Sequence, residues 1–159
     1  MRNTWQFVTH DGRPLHIDLG MVAGIELGAE SRTVALAIGN YAIAAKLAAC
    51  DDDANDDVAF ARLIDAWQSS DGRPDILELW RWDAEDGYTA PVGIDLQTVQ
   101  RLAVYPGGNT GVFEYPPHVG YADACGPMET LWLKLEDDES FEAARDALMK
   151  RWRKARGEQ

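Results

Sequence analysis

Hydrophobic and polar residues alternate in short stretches along most of the first half of the chain, and turn residues separate these stretches. Alternation with a period of two is typical of β-strands that bury one face. The segments Asp11-Gly12-Arg13 and Gly28-Ala29-Glu30-Ser31 predict hairpin turns between neighbouring strands. The first half is therefore predicted to form five strands, at residues 5–10, 14–17, 22–27, 32–38 and 41–47.

A helical pattern replaces the alternation after the acidic segment 51–57. Hydrophobic residues then recur at i, i+3, i+4 and i+7, which places them on one helical face. These residues are Phe60, Leu63, Ile64 and Trp67. The spacing predicts a helix over 58–68, and Asp57 is its expected N-cap.

The second half shows the same succession of strands and a closing helix. Ser140 is the expected N-cap of a helix that runs to Arg156, and Gly157 is suited to end it. One face of this helix is apolar at Phe141, Ala144, Leu148, Trp152 and Ala155. The strands that precede it are predicted at 76–82, 88–94, 99–105, 110–115 and 130–135.

The two halves also share residues in the same order. Ile17-Asp18-Leu19 recurs as Ile94-Asp95-Leu96 at a shift of 77 residues, and further matches follow at shifts that change as loop insertions would change them. The chain is therefore predicted to be an α+β protein, a tandem duplication of an antiparallel β meander followed by one α-helix. Residues 1–70 would form the first repeat and 71–159 the second, as two lobes or as one compact domain.

Residues 41–49 present a local conflict, because they contain five alanines and alanine favours helix. The segment matched to them, Thr130–Leu135, alternates like a strand. The repeat therefore favours a strand at 41–47, and a helix is the alternative.

The charge of the chain limits its partners. Of 159 residues, 46% are hydrophobic and 26% charged, and the formal net charge is −12. An acidic surface repels phosphate, so direct nucleic-acid binding is not expected. Electrostatic steering toward a basic protein is expected instead. The basic segment 150–156 complements the dipole of its helix, or alternatively docks on an acidic surface.

Cysteine use and hydropathy indicate the compartment. Cys50 and Cys125 are too few for a disulfide scaffold, and no apolar run reaches the length of a membrane helix. The start of the chain lacks the apolar core of a secretion signal. We expect a cytoplasmic protein that does not enter membranes, and the excess of arginine over lysine is typical of a bacterial genome rich in G and C.

The second half departs from the repeat between its fourth and fifth strands, where the shifts imply an insertion of about eleven residues in segment 115–128. This enlarged loop is stiffened by prolines and carries tyrosines, which are effective contact residues for partners. The alternative is a loop that covers an apolar sheet face. Its candidate binding residues are Tyr115, His118, Tyr121, Asp123 and Cys125.

Other candidate sites are weaker. His10 and His16 share a strand face only if a three-residue turn pairs 10 with 14, and no third metal ligand is defined. The segment that begins at Asp51 lacks the glycine and the final glutamate of a calcium loop.

His118, Asp123 and Cys125 have no spacing that sets up thiol catalysis. Trp80 and Trp82 share one face of a strand, where core packing is favoured over a platform for bases.

These observations predict a non-enzymatic acidic binding protein that engages a protein partner, as an inhibitor or immunity-type protein or as a subunit of a complex. No cofactor, metal ion or catalytic residue is implied. The alternative is a small enzyme or metal-binding protein that uses segment 115–128 or the His10 and His16 pair. Self-association as a homodimer is a further expectation, because strand edges invite pairing.

Overall fold

A computed structural model of the protein describes residues 4–28, 32–39, 41–48, 55–72, 74–123 and 128–158. The chain within these ranges is mostly antiparallel β-sheet with two α-helices, which confirms the α+β class. The strands are β1 (Thr4–Val8), β2 (Pro14–Asp18), β3 (Val22–Leu27), β4 (Thr33–Ile38), β5 (Tyr41–Leu47), β6 (Ile76–Asp83), β7 (Gly87–Asp95), β8 (Arg101–Tyr105), β9 (Gly108–Asn109), β10 (Glu114–Tyr115), β11 (His118–Ala122) and β12 (Glu129–Trp132). The helices are α1 (Asp56–Gln68) and α2 (Phe141–Ala155), with short 3₁₀ helices at Leu19–Met21 and Leu96–Thr98.

Backbone contacts divide the chain into two compact units. The first comprises Met1–Leu77 with Val92–Asp95, and the second comprises Glu78–Pro91 with Leu96–Gln159. Strands β6 and β7 therefore contribute residues to both units. The assignment of 1–70 and 71–159 to two repeats stays a prediction. No helix of the described residues has the length and hydrophobicity that crossing a membrane requires.

The first unit is built on the strand order β2-β1-β5-β4-β3-β7, with antiparallel registers. Ile25 at the centre of β3 pairs with Leu36 on one side and with Gly93 on the other. The core combines buried side chains from these strands with those of α1. It includes Phe7, Ile25, Val34, Leu36, Phe60, Leu63 and Trp67. The predicted apolar face of α1 is thus confirmed.

Two predictions for the first five strands are settled by the register. Residues 41–47 form a strand in spite of their alanines, because Ala45 and Leu47 are buried in the sheet. The first turn is wider than predicted, because Val8 pairs with Pro14 and the N–H of Thr9 donates to the carbonyl of Arg13. The prediction that β1 continues to residue 10 is wrong, and His10 lies in the turn.

Helix α1 begins two residues earlier than predicted. Asn55 has an extended backbone, and its side-chain oxygen accepts the N–H of Val58 at 2.9 Å, so Asn55 is the N-cap and the prediction of Asp57 is wrong. Asp57 lies inside the first turn, where its negative charge faces the positive end of the helix dipole. Residues 51–54 of the candidate calcium loop lie outside the described residues.

The second unit has the strand order β7-β6-β12-β11-β8, with β9 and β10 forming a separate hairpin. Helix α2 begins at its predicted N-cap, Ser140, which accepts the N–H of Ala143 at 3.1 Å. Gly157 follows it with φ of 82°, a left-handed conformation that favours glycine. The predicted apolar face of α2 is confirmed, because Ala144 and Leu148 are buried.

Candidate functional site

The segment predicted as an enlarged loop contains a strand of the large sheet. Residues 118–122 form β11, which pairs with β8 on one side and β12 on the other. Val119 at its centre is fully buried. The prediction of the fourth strand at 110–115 is wrong except for Glu114–Tyr115, and residues 106–117 lie between β8 and β11. Alternation of polar and apolar residues does not show whether 110–115 or 118–122 forms the strand that pairs within the large sheet.

The residues between β8 and β11 form the β9–β10 hairpin. Its turn is closed by the N–H of Thr110, which donates to the carbonyl of Phe113 at 3.1 Å. The N–H of Gly111 donates to the side chain of Asn109 at 2.7 Å, and Gly111 has φ of 87°. We call Val112 and Phe113 the hairpin tip. They are 89% and 43% exposed, so an ordered turn presents hydrophobic side chains to solvent.

Close packing holds the base of the hairpin. A Cβ atom on Gly108 would lie 2.5 Å from the hydroxyl oxygen of Tyr115, and one on Gly107 would lie 2.7 Å from its carbonyl oxygen. At Gly107 the close neighbours are backbone atoms, so a larger residue there would displace the chain at Tyr115. The ring of Tyr115 meets that of Trp132 edge to face, at 6.1 Å between centroids. The hairpin is thereby anchored to strand β12.

Aromatic residues form a row across four strands of the second unit. The register places Tyr105 opposite His118, His118 opposite Trp132 and Trp132 opposite Trp80. Residues directly opposite each other lie on the same sheet face. The aromatic cluster comprises this row and three flanking rings, namely Tyr105, His118, Trp132 and Trp80 with Trp82, Tyr88 and Tyr115.

His118 lies at the centre of one half of this cluster. Its ring stacks on Tyr105 with 4.8 Å between centroids and 18° between planes, and it lies 5.0 Å from the ring of Trp132. Burial among these rings lowers the pKa of His118. Its Nδ1 is shielded from solvent and has no hydrogen-bond partner among the described residues. Burial therefore favours the neutral form of His118 over the protonated form.

The other half of the cluster surrounds Tyr88. The ring of Tyr88 packs edge to face against Trp82 at 4.9 Å and Trp80 at 6.2 Å. The ammonium group of Lys134 lies over both Trp80 and Tyr88, at 5.4 and 5.5 Å from the ring centroids. Burial raises the pKa of the Tyr88 hydroxyl. Trp80 and Trp82 are half-buried and pack on other rings, but neither belongs to the buried core in which the sequence placed them.

The predicted binding residues do not form one group. Tyr115 and His118 both contact Trp132, which brings them together in the aromatic cluster. Tyr121 lies further along β11, and its hydroxyl donates to the carboxylate of Glu129 at 2.9 Å. Asp123 is exposed just after β11. Cys125 and its predicted role lie outside the described residues, as do those of Cys50.

The histidine pair is arranged differently from the metal-site hypothesis. His10 lies in the first turn and His16 in β2, opposite Gln6. The pairing of 10 with 14, under which the two would share a strand face, is not formed because Val8 takes that place. Groups of three or more histidine, cysteine, aspartate or glutamate side chains able to hold a metal ion are absent from the part of the chain that the structure describes.

Sequence reasoning missed Tyr105, Trp132 and the hairpin tip. The signal for the tip was present, since Asn109-Thr110-Gly111 is a turn sequence followed directly by Val112-Phe113. No sequence signal identifies Tyr105 or Trp132 as neighbours of His118, because only the strand register makes them so. Comparisons of the chain with protein-family models, with curated proteins and with solved structures found no match.

Proposed function

We propose that this chain is a non-enzymatic acidic binding protein that engages a protein partner through the β9–β10 hairpin. The observation that carries the proposal is the exposure of Val112, 89%, at the tip of a hairpin whose turn and base are both fixed. A preformed hairpin loses little conformational entropy when a partner covers it. Hydrophobic side chains on a rigid projection are suited to fill a pocket on another protein.

Charge supports a basic partner. The formal net charge of the chain is −12, and Glu114 beside the hairpin tip is exposed. Opposite charges on two proteins accelerate their encounter and select among partners, whereas apolar contact holds the complex. An inhibitor or immunity-type protein, or a subunit of a larger complex, uses both features. The cytoplasm stays the predicted compartment.

The test is capture of partners by the immobilised full chain from a cell extract. We expect the double variant Val112→Ser and Phe113→Ser to lose at least about tenfold in affinity for the partner that the wild-type chain captures. Tyr41→Ser is the matched control, because Tyr41 is 72% exposed but lies on β5 of the first unit. The control should capture as the wild type does.

Salt separates the two contributions to binding. Raising the ionic strength should slow association of the wild-type chain, because screening weakens attraction between exposed charges. Equal capture by the wild type and the hairpin-tip variant would contradict the proposed site. A partner that carries an acidic surface would contradict the charge argument.

We also propose that the chain arose by tandem duplication. The order of elements supports it, because each half has a hairpin, a 3₁₀ helix, further strands and an α-helix in succession. The strand orders support it as well, since β2-β1-β5-β4-β3 corresponds to β7-β6-β12-β11-β8 position by position. The 3₁₀ helices at Leu19–Met21 and Leu96–Thr98 are 77 residues apart, the shift at which Ile17-Asp18-Leu19 recurs. Superposition of the two halves in a crystal structure tests this proposal, and a mismatch at the 3₁₀ helices would contradict it.

A further inference from the structure

The first unit contains a pairing that joins the two sequence repeats. Strand β3 pairs with the end of β7 through Gly24↔Ile94, Ile25↔Gly93 and Glu26↔Val92. Under the proposed duplication, β8 is the counterpart of β3, and β2 is the counterpart of β7, both at a shift of 77. Among the described strands β2 and β8 each have one neighbour only. No described strand therefore covers the two edges that correspond to a junction formed within the chain.

The backbone groups at these edges point outward at matching positions. The N–H of Thr9 donates to the carbonyl of Arg13, and alternation along an antiparallel pair then directs the backbone of His16 away from β1. The N–H of Leu133 donates to the carbonyl of Pro117, and the same alternation directs the backbone of Leu102 away from β11. His16 and Leu102 are the counterparts of Gly93 and Ile25, which are paired in β7 and β3.

The edges also carry apolar side chains that are only half-buried. Leu102 on β8 is half-buried, whereas its counterpart Ile25 is fully buried beside β7. Leu15 on β2 is half-buried, whereas its counterpart Val92 is 4% exposed beside β3. A neighbouring strand at each edge would remove this apolar surface from water.

Proline does not prevent the pairing. Pro14 begins β2, and the residue 77 positions later is Pro91 in β7. Val92, which follows Pro91 directly, pairs with Glu26. A proline at this position is therefore compatible with an antiparallel neighbour, although an edge proline commonly protects a strand from one.

We propose that the chain self-associates head to tail, with β8 of one copy antiparallel to β2 of the next. The register follows the internal junction, with Leu102 opposite His16, Arg101 opposite Ile17 and Ala103 opposite Leu15. The partner is a second copy of this chain, and strand addition at an edge provides the contact. The inference rests on the proposed duplication and is independent of the partner-binding hairpin. Because the two surfaces differ, the interface is heterologous and leads to rings or open chains.

One difference makes this association weaker than the internal junction. Helix α1 lies so close over Gly93 that a Cβ atom there would be 2.9 Å from Cδ1 of Ile64. The counterpart of Gly93 on β2 is His16. Its side chain would lie where the internal junction leaves no room for even a Cβ atom, so the association is weaker than that junction. Pairing between copies is therefore expected to depend on concentration, with a dissociation constant between about 1 μM and about 1 mM.

Sedimentation velocity on the purified full chain tests the proposal. The wild-type mass should rise with concentration up to about 1 mM, the weak limit of association. His16→Pro and Leu102→Pro each remove one outward N–H without touching a bond to β1 or β11, so each variant alone should be monomeric. An equimolar mixture of the two should form dimers and nothing larger, because each variant keeps one intact edge.

Several outcomes would overturn the proposal. The proposal is contradicted if the wild-type chain stays monomeric at every concentration, if a single proline variant still associates, or if the mixture of the two variants stays monomeric. Circular dichroism checks the fold of each variant. If a proline variant fails to fold, Leu102→Lys combined with His16→Lys places like charges opposite each other and should also give a monomer. The hairpin-tip variant should associate like the wild type, which separates this test from the partner-binding test.

Discussion

The imidazole of His118 stacks on the phenol ring of Tyr105, with 4.8 Å between the ring centroids. The two residues face each other on neighbouring strands β11 and β8. The stack belongs to a row of aromatic side chains that continues through Trp132 to Trp80. Tyr105 precedes the β9–β10 hairpin in sequence and His118 follows it. Their stack therefore holds the two ends of the hairpin on one sheet face.

The stability of the protein should depend on the protonation of His118. Burial lowers its pKa in the folded chain, so the unfolded chain binds the proton more strongly. Stability is therefore complete above the unfolded pKa of about 6.5 and decreases as the pH falls below it toward the folded pKa. His118→Phe keeps a stacking ring and removes the titration.

Urea unfolding between about pH 7.5 and about pH 5.5 measures this effect. The free energy of unfolding of the wild type should decrease more over this range than that of His118→Phe. Titrations shared by both proteins cancel in the difference. Parallel pH profiles for the two proteins would show that protonation of His118 is not coupled to folding.

A methyl group at Gly93 should destabilise the first unit. The Cβ of Gly93→Ala would lie 2.9 Å from Cδ1 of Ile64, closer than packed carbon atoms allow, and 3.2 Å from Cζ3 of Trp67, a tight contact. Overpacking of this kind costs about 1–3 kcal/mol. Thermal and urea unfolding measure the loss.

Two further variants control for the effect of a methyl group on a strand. The Cβ of Gly24→Ala would meet nothing nearer than 3.5 Å, so its effect should be small. Ile64→Val removes the Cδ1 atom, so adding it to Gly93→Ala should recover part of the loss. An unchanged deficit in the double variant would place the strain elsewhere.

The N-caps of the two helices should contribute measurably to stability. Asn55→Ala and Ser140→Ala each remove a side-chain acceptor for a backbone N–H at the start of a helix, at a cost of about 1 kcal/mol. Asp57→Ala should cost less than Asn55→Ala, because Asp57 contributes only through the helix dipole. If urea unfolding showed a larger loss of stability for Asp57→Ala than for Asn55→Ala, Asp57 would be the N-cap.

Truncation in the two 3₁₀ helices should have similar effects if the halves are related. Leu19 and Leu96 occupy the same position in these helices, 77 residues apart, and are 2% and 0% exposed. Leu19→Ala and Leu96→Ala are each expected to cost about 2–5 kcal/mol. A negligible loss for either variant, measured by urea unfolding, would show that this position does not play the same part in both halves.

The enlarged segment shows where sequence reasoning failed. The sequence predicted a loop at 115–128 after a strand at 110–115, whereas residues 118–122 form β11 and the β9–β10 hairpin precedes this strand. Strand pairs depend on register, and a shift of one residue exchanges the two faces of a strand. Val119 is fully buried and lies opposite Val104 of β8 and Leu131 of β12, and no pattern within 115–128 indicates these neighbours.

The sequence by itself determined many, though not all, of the local elements of this protein. Helix periodicity, the Ser140 cap and the alternation in β3 act within a few residues, so their signals are complete in the printed sequence. Tertiary structure decided which distant residues meet. The Tyr105–His118 stack, the glycine beneath α1 and the position of β2 and β8 at the edges of the described sheet all depend on pairing between segments far apart in the chain. That pairing is set by the packing of the whole sheet, because the alternating pattern is satisfied by many registers.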